Sequence, residues 1–224
     1  MNGTSDTTFA PDESLNRAML ATILYRLSGE PAARGEGKTF MDVAPDTWYT
    51  SAVAWASANG IVSGVGDGKF ALTQAITREE LATMLYRYAK YSKLDTSAKG
   101  DLSKFADGDQ IAAWASDAMA WAVGAGLISG KTANVIDPTG TATRAEVATI
   151  LMRFTELTKQ QTACRGARRP GTERSSYENS FQTRNRLSPG FHAAAQPECP
   201  RICGGDGSDR RSTGQRQVYA QHRS

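Results

Sequence analysis

The sequence predicts an all-α protein of tandem helix-loop-helix repeats, followed by a C-terminal tail that we expect to be disordered. Three observations predict this: one pattern recurs along the chain, capping signals precede apolar stripes of helical period, and the composition changes abruptly near residue 160. Of the 224 residues, 40% are hydrophobic and 22% are charged, which is enough apolar material for a core.

The repeat is visible as two gapless alignments. Residues 48–64 align on 114–130, and residues 77–88 align on 143–154, both at an offset of 66. A partial copy at 16–26 aligns on 77–87 at an offset of 61. We therefore divide the chain into a partial repeat over 1–38 that keeps only its back helix, complete repeats over 39–93 and 102–158, and a tail over 161–224.

Each complete repeat begins with a front helix. In the first, the pattern predicts a helix from about Thr47 to Ala58, with Asp46 as its N-cap and Asn59-Gly60 as its end. Trp55 and Trp121 occupy equivalent positions on an apolar stripe, so we expect both in the core. A glycine loop, residues 64–68, follows the front helix.

The back helix opens with a capping box, Thr77-x-x-Glu80, which recurs as Thr143-x-x-Glu146. The partial copy keeps a cap at Asn16 but has Met19 in place of the glutamate. Apolar residues at helical spacing follow each complete box and predict two buried stripes: Leu81, Met84, Leu85 and Tyr88, and then Val147, Ile150, Leu151 and Phe154.

Several motifs, in one order and twice over, resemble the S-layer homology repeat. They include Phe40-x-Asp42, Trp48, the glycine loop and Thr77-Arg78-Glu79-Glu80, while Thr143-Arg144-Ala145-Glu146 matches the family's tetrapeptide letter for letter. The resemblance covers about residues 9–157. It implies a pseudo-threefold helical bundle whose inter-repeat grooves bind a pyruvylated secondary cell-wall polysaccharide. It also implies a non-catalytic role in anchoring extracellular proteins to the cell wall or S-layer.

An arginine stands at the first position of every back helix, where the positive end of the helix dipole disfavours a cation by roughly 0.3–1 kcal/mol. Free helix amides beside a guanidinium suit a carboxylate, so one interpretation is an anion site in each repeat. The alternative is a structural salt bridge to Asp42, Asp46 or an acid of a neighbouring repeat. With the resemblance we favour ligand binding, with the most complete site at Arg78 and the glycine loop. On that interpretation, replacing Arg78 would leave the melting temperature nearly unchanged.

The candidate ligand-binding set joins these arginines with the leading tryptophans and the loop. Either tryptophan offers a flat face on which a sugar ring stacks, although packing in the core is an equal alternative. The loop glycines either let backbone approach a ligand or serve only as a turn. The full set is Arg17, Arg78, Arg144, Trp48, Trp114, Gly64, Gly66, Asp67 and Gly68.

Residue types exclude most enzyme chemistry from the repeats. The first 160 residues contain neither Cys nor His, which excludes thiolate nucleophiles, Ser-His-Asp triads and Cys or His metal sites there. The acids at Asp67, Asp107 and Asp109 are too sparse for a calcium loop, so we expect no metal and no cofactor. We expect no transmembrane segment, since no run approaches about 18 apolar residues. Met1–Asp6 shows no signal-peptide pattern.

The tail differs from the repeats in charge and composition. Residues 1–160 hold 15 Lys and Arg against 18 Asp and Glu, whereas residues 161–224 hold 11 against 5 and contain no lysine. With few large apolar residues the tail cannot offset its chain entropy. It has the appearance of translation in a shifted reading frame. We assign it no function and expect no nucleic-acid partner.

Two other functions stay open. The repeats could form a helical protein–protein interaction module of a surface protein, or the anchoring remnant of a larger secreted enzyme. Because the first repeat lacks its front half, self-association that completes it is a further expectation.

Overall fold

The computed structural model describes residues 3–5, 7–32 and 38–167. These residues contain five α-helices: α1 (Arg17–Leu27), α2 (Thr50–Ala58), α3 (Arg78–Tyr91), α4 (Ser116–Gly124) and α5 (Arg144–Ala167). Two single 3₁₀ turns, Leu102–Lys104 and Gly108–Gln110, precede α4. Strand pairing in this part of the chain is limited to isolated bridges. The all-α prediction is therefore confirmed.

The back helices α1, α3 and α5 begin where the capping signals place them. Thr77 Oγ1 accepts a hydrogen bond from the Glu80 amide, and the Glu80 carboxylate accepts one from the Thr77 amide. Thr143 and Glu146 make the same reciprocal pair, and the Asn16 side chain accepts from the Met19 amide. Helix α5 continues to Ala167, so residues 161–167 are helical where the sequence predicts disordered chain. The rest of the predicted tail lies outside the described residues.

The front helix α2 begins later than predicted. Its first residue is Thr50 rather than Thr47, and its N-cap residue, Tyr49, makes no side-chain cap hydrogen bond. Asp46, the predicted cap, has a φ of 55° in the preceding turn. The Thr50 hydroxyl donates to the Ala44 carbonyl at 2.8 Å and so stabilises this turn. Trp48 consequently lies ahead of the helix instead of on its apolar stripe.

A closed cycle of backbone hydrogen bonds joins the three repeats. The Leu15 amide donates to the Ala142 carbonyl (3.1 Å), the Ala142 amide to the Ile76 carbonyl (3.1 Å), and the Ile76 amide to the Leu15 carbonyl (2.8 Å). These residues occupy the same position of successive repeats, immediately before each helix cap. Such a cycle is what a pseudo-threefold axis requires, and it agrees with the expected bundle.

The front helices pack onto the back helices of the preceding repeats: α2 lies against α1, and α4 against α3. Trp55 and Trp121 are 1% and 0% exposed, so their assignment to the core is confirmed. The Trp55 ring lies 5.5 Å from that of Tyr25, and the Trp121 ring 5.4 Å from that of Tyr86. Both predicted apolar stripes of the back helices are buried as well.

Candidate ligand-binding grooves

The three candidate arginines are buried, and their hydrogen bonds connect one repeat to another. Arg17, Arg78 and Arg144 are 6%, 4% and 4% exposed. Each guanidinium donates to a backbone carbonyl of another repeat through its Nε, and Arg17 and Arg78 donate to a second carbonyl through Nη2. Arg17 donates to Phe70 O (3.0 Å) and Ser63 O (2.9 Å), Arg78 to Ile136 O (2.8 Å) and Ser129 O (2.7 Å), and Arg144 to Phe9 O (2.9 Å).

The capping-box glutamates face the same arginines. Arg17 Nη1 lies 2.7 Å from Glu80 Oε1, and Arg78 Nη1 lies 3.6 Å from Glu146 Oε1. The other oxygen of each carboxylate caps its own helix. The arginine and the glutamate of the tetrapeptide therefore act between repeats as well as within one. This is the salt bridge to a neighbouring repeat's acid that the sequence left open as an alternative.

The first amides of the back helices are not available to an anion, so that part of the anion-site interpretation is wrong. Each helix has its first two amides bonded to carbonyls of another repeat, at distances from 2.8 to 3.4 Å. The donor and acceptor pairs are Arg17–Gln74, Ala18–Leu72, Arg78–Gly140, Glu79–Pro138, Arg144–Glu13 and Ala145–Pro11. The third amide is satisfied by the cap residue.

The glycine loop lies beside Arg17 and not beside Arg78, which corrects the expected pairing. Ser63 and Phe70, which bind Arg17, flank the loop on either side. A Cβ at Gly64 would lie 2.6 Å from Lys69 O and 2.9 Å from the Phe40 ring, so packing of the loop itself requires a glycine there. At the tip, Gly66, Asp67 and Gly68 all have positive φ.

The third repeat forms the same turn without those glycines. The Lys131 amide donates to Val135 O at 2.8 Å, as the Val65 amide donates to Lys69 O at 2.9 Å. The turn therefore does not require the tip glycines of the second repeat, because the third repeat forms it with other residues.

Two aspartates stabilise the ends of these loops by accepting hydrogen bonds from backbone amides. Asp42 accepts from the Phe70 and Ala71 amides, each at 2.7 Å, and Asp107 accepts from the Ile136 and Asp137 amides at 2.9 and 2.7 Å. Burial by itself raises the pKa of a carboxyl group, but the amide hydrogen bonds outweigh it and lower the pKa of both residues below the ordinary value of 3.8.

Two grooves of about 420 Å³ each run along the back helices. The first groove follows α1 and is lined by Leu15, Met19, Thr22, Ile23, Arg26, Leu27, Trp48 and Arg144, together with Gly3. The second groove follows α3 and is lined by Arg17, Val62, Ser63, Gly64, Val65, Glu80, Thr83, Met84, Arg87 and Trp114. Each therefore draws residues from all three repeats, and five of the candidate residues lie in one groove or the other.

The two grooves are related by the repeat. Thr22 and Arg26 correspond to Thr83 and Arg87, and each groove is also lined by a tryptophan from the following repeat. Trp48 and Trp114 are 59% and 56% exposed, so neither belongs to the core.

Arg26 and Arg87 are absent from the sequence-derived set. The signal that would have identified them is their recurrence at the repeat offset, because the arginine returns a third time at Arg153.

The two grooves differ in polarity at the position of the capping-box glutamate. Glu80 in the second groove is replaced by Met19 in the first, and Met84 by Ile23. The first groove consequently presents a more apolar wall beside its arginines.

Comparison with known proteins identifies both complete repeats. The S-layer homology domain model matches residues 39–82 and 104–148. The chain is 33% identical over 159 residues to a surface-layer 125 kDa protein of Lysinibacillus sphaericus, covering 70% of this chain and 13% of that protein. It is 34% identical over 161 residues to the exoglucanase XynX of Acetivibrio thermocellus, covering 70% and 14%. It is also 28% identical over 151 residues to a cellulosome-anchoring protein of that species, covering 66% and 33%.

The chain thus spans only a small part of each of these relatives. Within the described residues no helix is long and apolar enough to cross a membrane. S-layer homology domains are non-catalytic modules that anchor proteins to the cell wall. On the two matched segments, and on the threefold packing that relates them, this chain carries S-layer homology repeats.

Proposed function

We propose that this chain is a cell-wall anchoring module that binds an anionic, pyruvylated wall polysaccharide in its two inter-repeat grooves. The observation that carries the proposal is the recurrence, in the lining of both grooves, of an exposed tryptophan together with an arginine of the back helix. An exposed indole provides an apolar face for a sugar ring, and a guanidinium donates two parallel hydrogen bonds to a carboxylate. Together they match a sugar that carries an acidic ketal.

Some of these residues contact the ligand in this proposal, and others position the residues that do. Trp48 with Arg26, and Trp114 with Arg87, contact the ligand directly in this proposal. Arg17 and Arg144 line the grooves from the buried side, where their donors position the adjoining loops. The charge of Arg17 is paired with Glu80 in the same groove. Gly64 lines the second groove, and Gly66, Asp67 and Gly68 form the loop tip next to it. Arg78 occupies the third inter-repeat contact and supports the bundle.

The names of the relatives agree with this function. They include surface-layer and cellulosome-anchoring proteins, which favours a place at the cell surface, and an exoglucanase in which the shared segment is 14% of the protein. A non-catalytic anchor explains how one segment is found in both kinds of protein.

The test is retention on purified wall polysaccharide. We expect the chain to bind glycan that carries pyruvyl ketals and to lose binding after their removal. Arg87→Ala should weaken binding by about 1.5–3 kcal/mol, the range for hydrogen bonds to charged groups. Trp114→Ala should weaken it as well, with little change in melting temperature.

Arg153→Ala is the matched control. Arg153 stands at the position of Arg87 in the next repeat but lines neither of the two grooves. Its side chain donates to the Leu127 carbonyl at 3.3 Å, whereas Arg87 donates to the Ser63 hydroxyl of the second groove at 3.2 Å. Equal binding of pyruvylated and depyruvylated glycan, or equal losses in Arg87→Ala and Arg153→Ala, would contradict the proposal.

A further inference from the structure

The second repeat has a buried glutamate where the other two repeats have alanine. Glu79, the second residue of α3, is 7% exposed. The equivalent residues are Ala18 in the first repeat and Ala145 in the third. Because alanine fits at this position of both other back helices, helix packing does not require a glutamate there. Burying a carboxylate costs free energy unless hydrogen bonds compensate for it, so the group that Glu79 binds is informative.

Glu79 binds the turn that carries Trp114. Its Oε2 accepts a hydrogen bond from the Ala112 amide at 3.1 Å, from a residue 33 positions further along the chain. The Ala112 carbonyl accepts from the Ala115 amide at 2.8 Å, which closes a turn over residues 112–115. Trp114 lies within this turn, is 56% exposed and lines the second groove. A carboxylate of the back helix therefore holds the backbone two residues before the exposed indole.

The first groove holds the turn of its tryptophan with a different polar group. Before Trp48, the Thr50 hydroxyl donates to the Ala44 carbonyl at 2.8 Å and accepts from the Thr47 amide at 3.0 Å. At the repeat offset Thr47 aligns with Ala113, which has no hydroxyl. A hydroxyl thus holds the turn in the first groove, and a carboxylate holds it in the second.

We propose that Glu79 is a positioning residue of the second groove: its hydrogen bond to the Ala112 amide holds the turn that presents Trp114 to a sugar ring of the wall glycan. This inference rests on the proposed function, in which Trp114 contacts the glycan. A turn that is ordered before binding raises affinity, because less conformational entropy is lost when the ligand binds.

The alternative role of Glu79 is purely helical. A negative charge in the first turn of a helix is stabilising, and Glu79 lies in the first turn of α3. The two roles predict different results for glutamine. Its amide oxygen can accept the same hydrogen bond from Ala112, whereas its lack of charge removes the interaction with the helix dipole.

The first experiment examines the turn without ligand, by fluorine NMR of the full chain labelled with fluorotryptophan. The four tryptophans give separate resonances, which single substitutions assign. Glu79→Ala should shift and broaden the Trp114 resonance and leave the Trp48 resonance unchanged, while Glu79→Gln should keep the linewidth of the parent chain. Thr50→Val is the matched control, because it removes the hydroxyl of the other turn. It should change the Trp48 resonance and leave the Trp114 resonance unchanged.

The second experiment measures binding of pyruvylated wall glycan in a background whose first groove is disabled by Trp48→Ala and Arg26→Ala, both at exposed side chains. At a temperature where every variant is folded, Glu79→Ala should weaken binding by about three- to tenfold, within the range for ordering one side chain. Glu79→Gln should bind like the background chain.

An unchanged Trp114 resonance in Glu79→Ala would overturn the proposal. Equal effects of Glu79→Ala and Glu79→Gln would also overturn it and would assign Glu79 to the helical role. Unchanged glycan affinity in Glu79→Ala, where Trp114→Ala weakens binding, would overturn the role in recognition. If the background chain itself binds no glycan, the proposed function of the second groove fails, and the fluorine spectra still decide whether Glu79 holds the turn.

Discussion

A guanidinium is stable inside a protein only when its donors are bonded, because burying an unpaired charge costs several kcal/mol. Arg17 meets this condition with two carbonyls and one carboxylate from the second repeat, while the Phe70 ring lies 5.0 Å from its guanidinium carbon. These contacts outweigh the unfavourable helix dipole at its position. The residue that looks from sequence like a ligand-binding group therefore also connects two repeats.

We expect Arg78→Ala to destabilise the fold by about 2–6 kcal/mol, since two carbonyls lose a charged donor at about 1–3 kcal/mol each. This differs from the unchanged stability that a purely ligand-binding arginine predicts. Thermal or urea unfolding of the variant measures it. Arg87→Ala, a partly exposed arginine nine residues further along α3, is the control and should change stability by less than about 0.5 kcal/mol.

The aspartates behind the loops predict a dependence of stability on pH. The folded-state pKa of Asp42 is lowered from 3.8, so its stabilising effect is present above that value and is lost as the pH falls through the folded pKa. Asp42→Asn should be less stable than the parent chain at pH 7, and the difference should shrink below about pH 4. Melting curves at both pH values measure this. A difference that stays constant with pH would show that the charge of Asp42 is not what stabilises the loop.

At the scale of the element, two tryptophans seven residues apart on the front-helix segment have different environments. Trp55 lies within α2 and is buried, whereas Trp48 lies in the turn before it and is exposed. The division follows from the late start of the helix at Thr50. One short segment therefore contributes both to the core and to a groove.

Trp55→Ala should cost about 3–5 kcal/mol, as a large-to-small core change. Trp48→Ala should change stability by less than about 0.5 kcal/mol and yet weaken glycan binding through the first groove. Parallel unfolding and binding measurements on the two variants decide between core and groove roles. A large stability loss in Trp48→Ala would contradict its placement in the groove.

Elements defined by local signals were predictable, and those defined by distant contacts were not. The capping box at Thr77 and Glu80 depends only on four consecutive residues, so it can be predicted from the sequence alone. The partners of Arg17 lie 46 to 63 residues away, and only the folded chain shows that they face it. The start of α2 is an exception, because its cause is local: Asp46 is a good cap by residue type, but the turn closed by the Thr50–Ala44 hydrogen bond removes it from the capping position.

At the scale of the whole molecule, the described bundle extends past the last repeat motif. Gln161 on α5 accepts a hydrogen bond from the Asp95 amide at 2.6 Å and donates to the Asp95 carbonyl at 3.2 Å. Asp95 belongs to the segment that joins the second and third repeats. The C-terminal part of α5 therefore stabilises the segment that joins the two repeats.

We expect a chain that ends at Ala167 to melt and to bind glycan like the full chain, because the repeat pattern and the described contacts lie within it. A chain that ends at Thr158 should melt at a lower temperature, since it lacks both Gln161 contacts. Differential scanning calorimetry of the two truncations measures the effect. Loss of the cooperative transition in the longer truncation would show that residues 168–224 contribute to the fold.

The hydrogen-bond cycle of Leu15, Ile76 and Ala142 also has a kinetic consequence. Its closing contact joins residues 127 positions apart, so the ring is completed only after almost the entire described chain has been synthesised. Contacts of such high sequence separation slow folding, because the entropy of loop closure is lost before the contact contributes. In open linear arrays, by contrast, each repeat contacts only its neighbours and folding can begin anywhere. We therefore expect the repeats to fold together in a single slow step that begins late in synthesis.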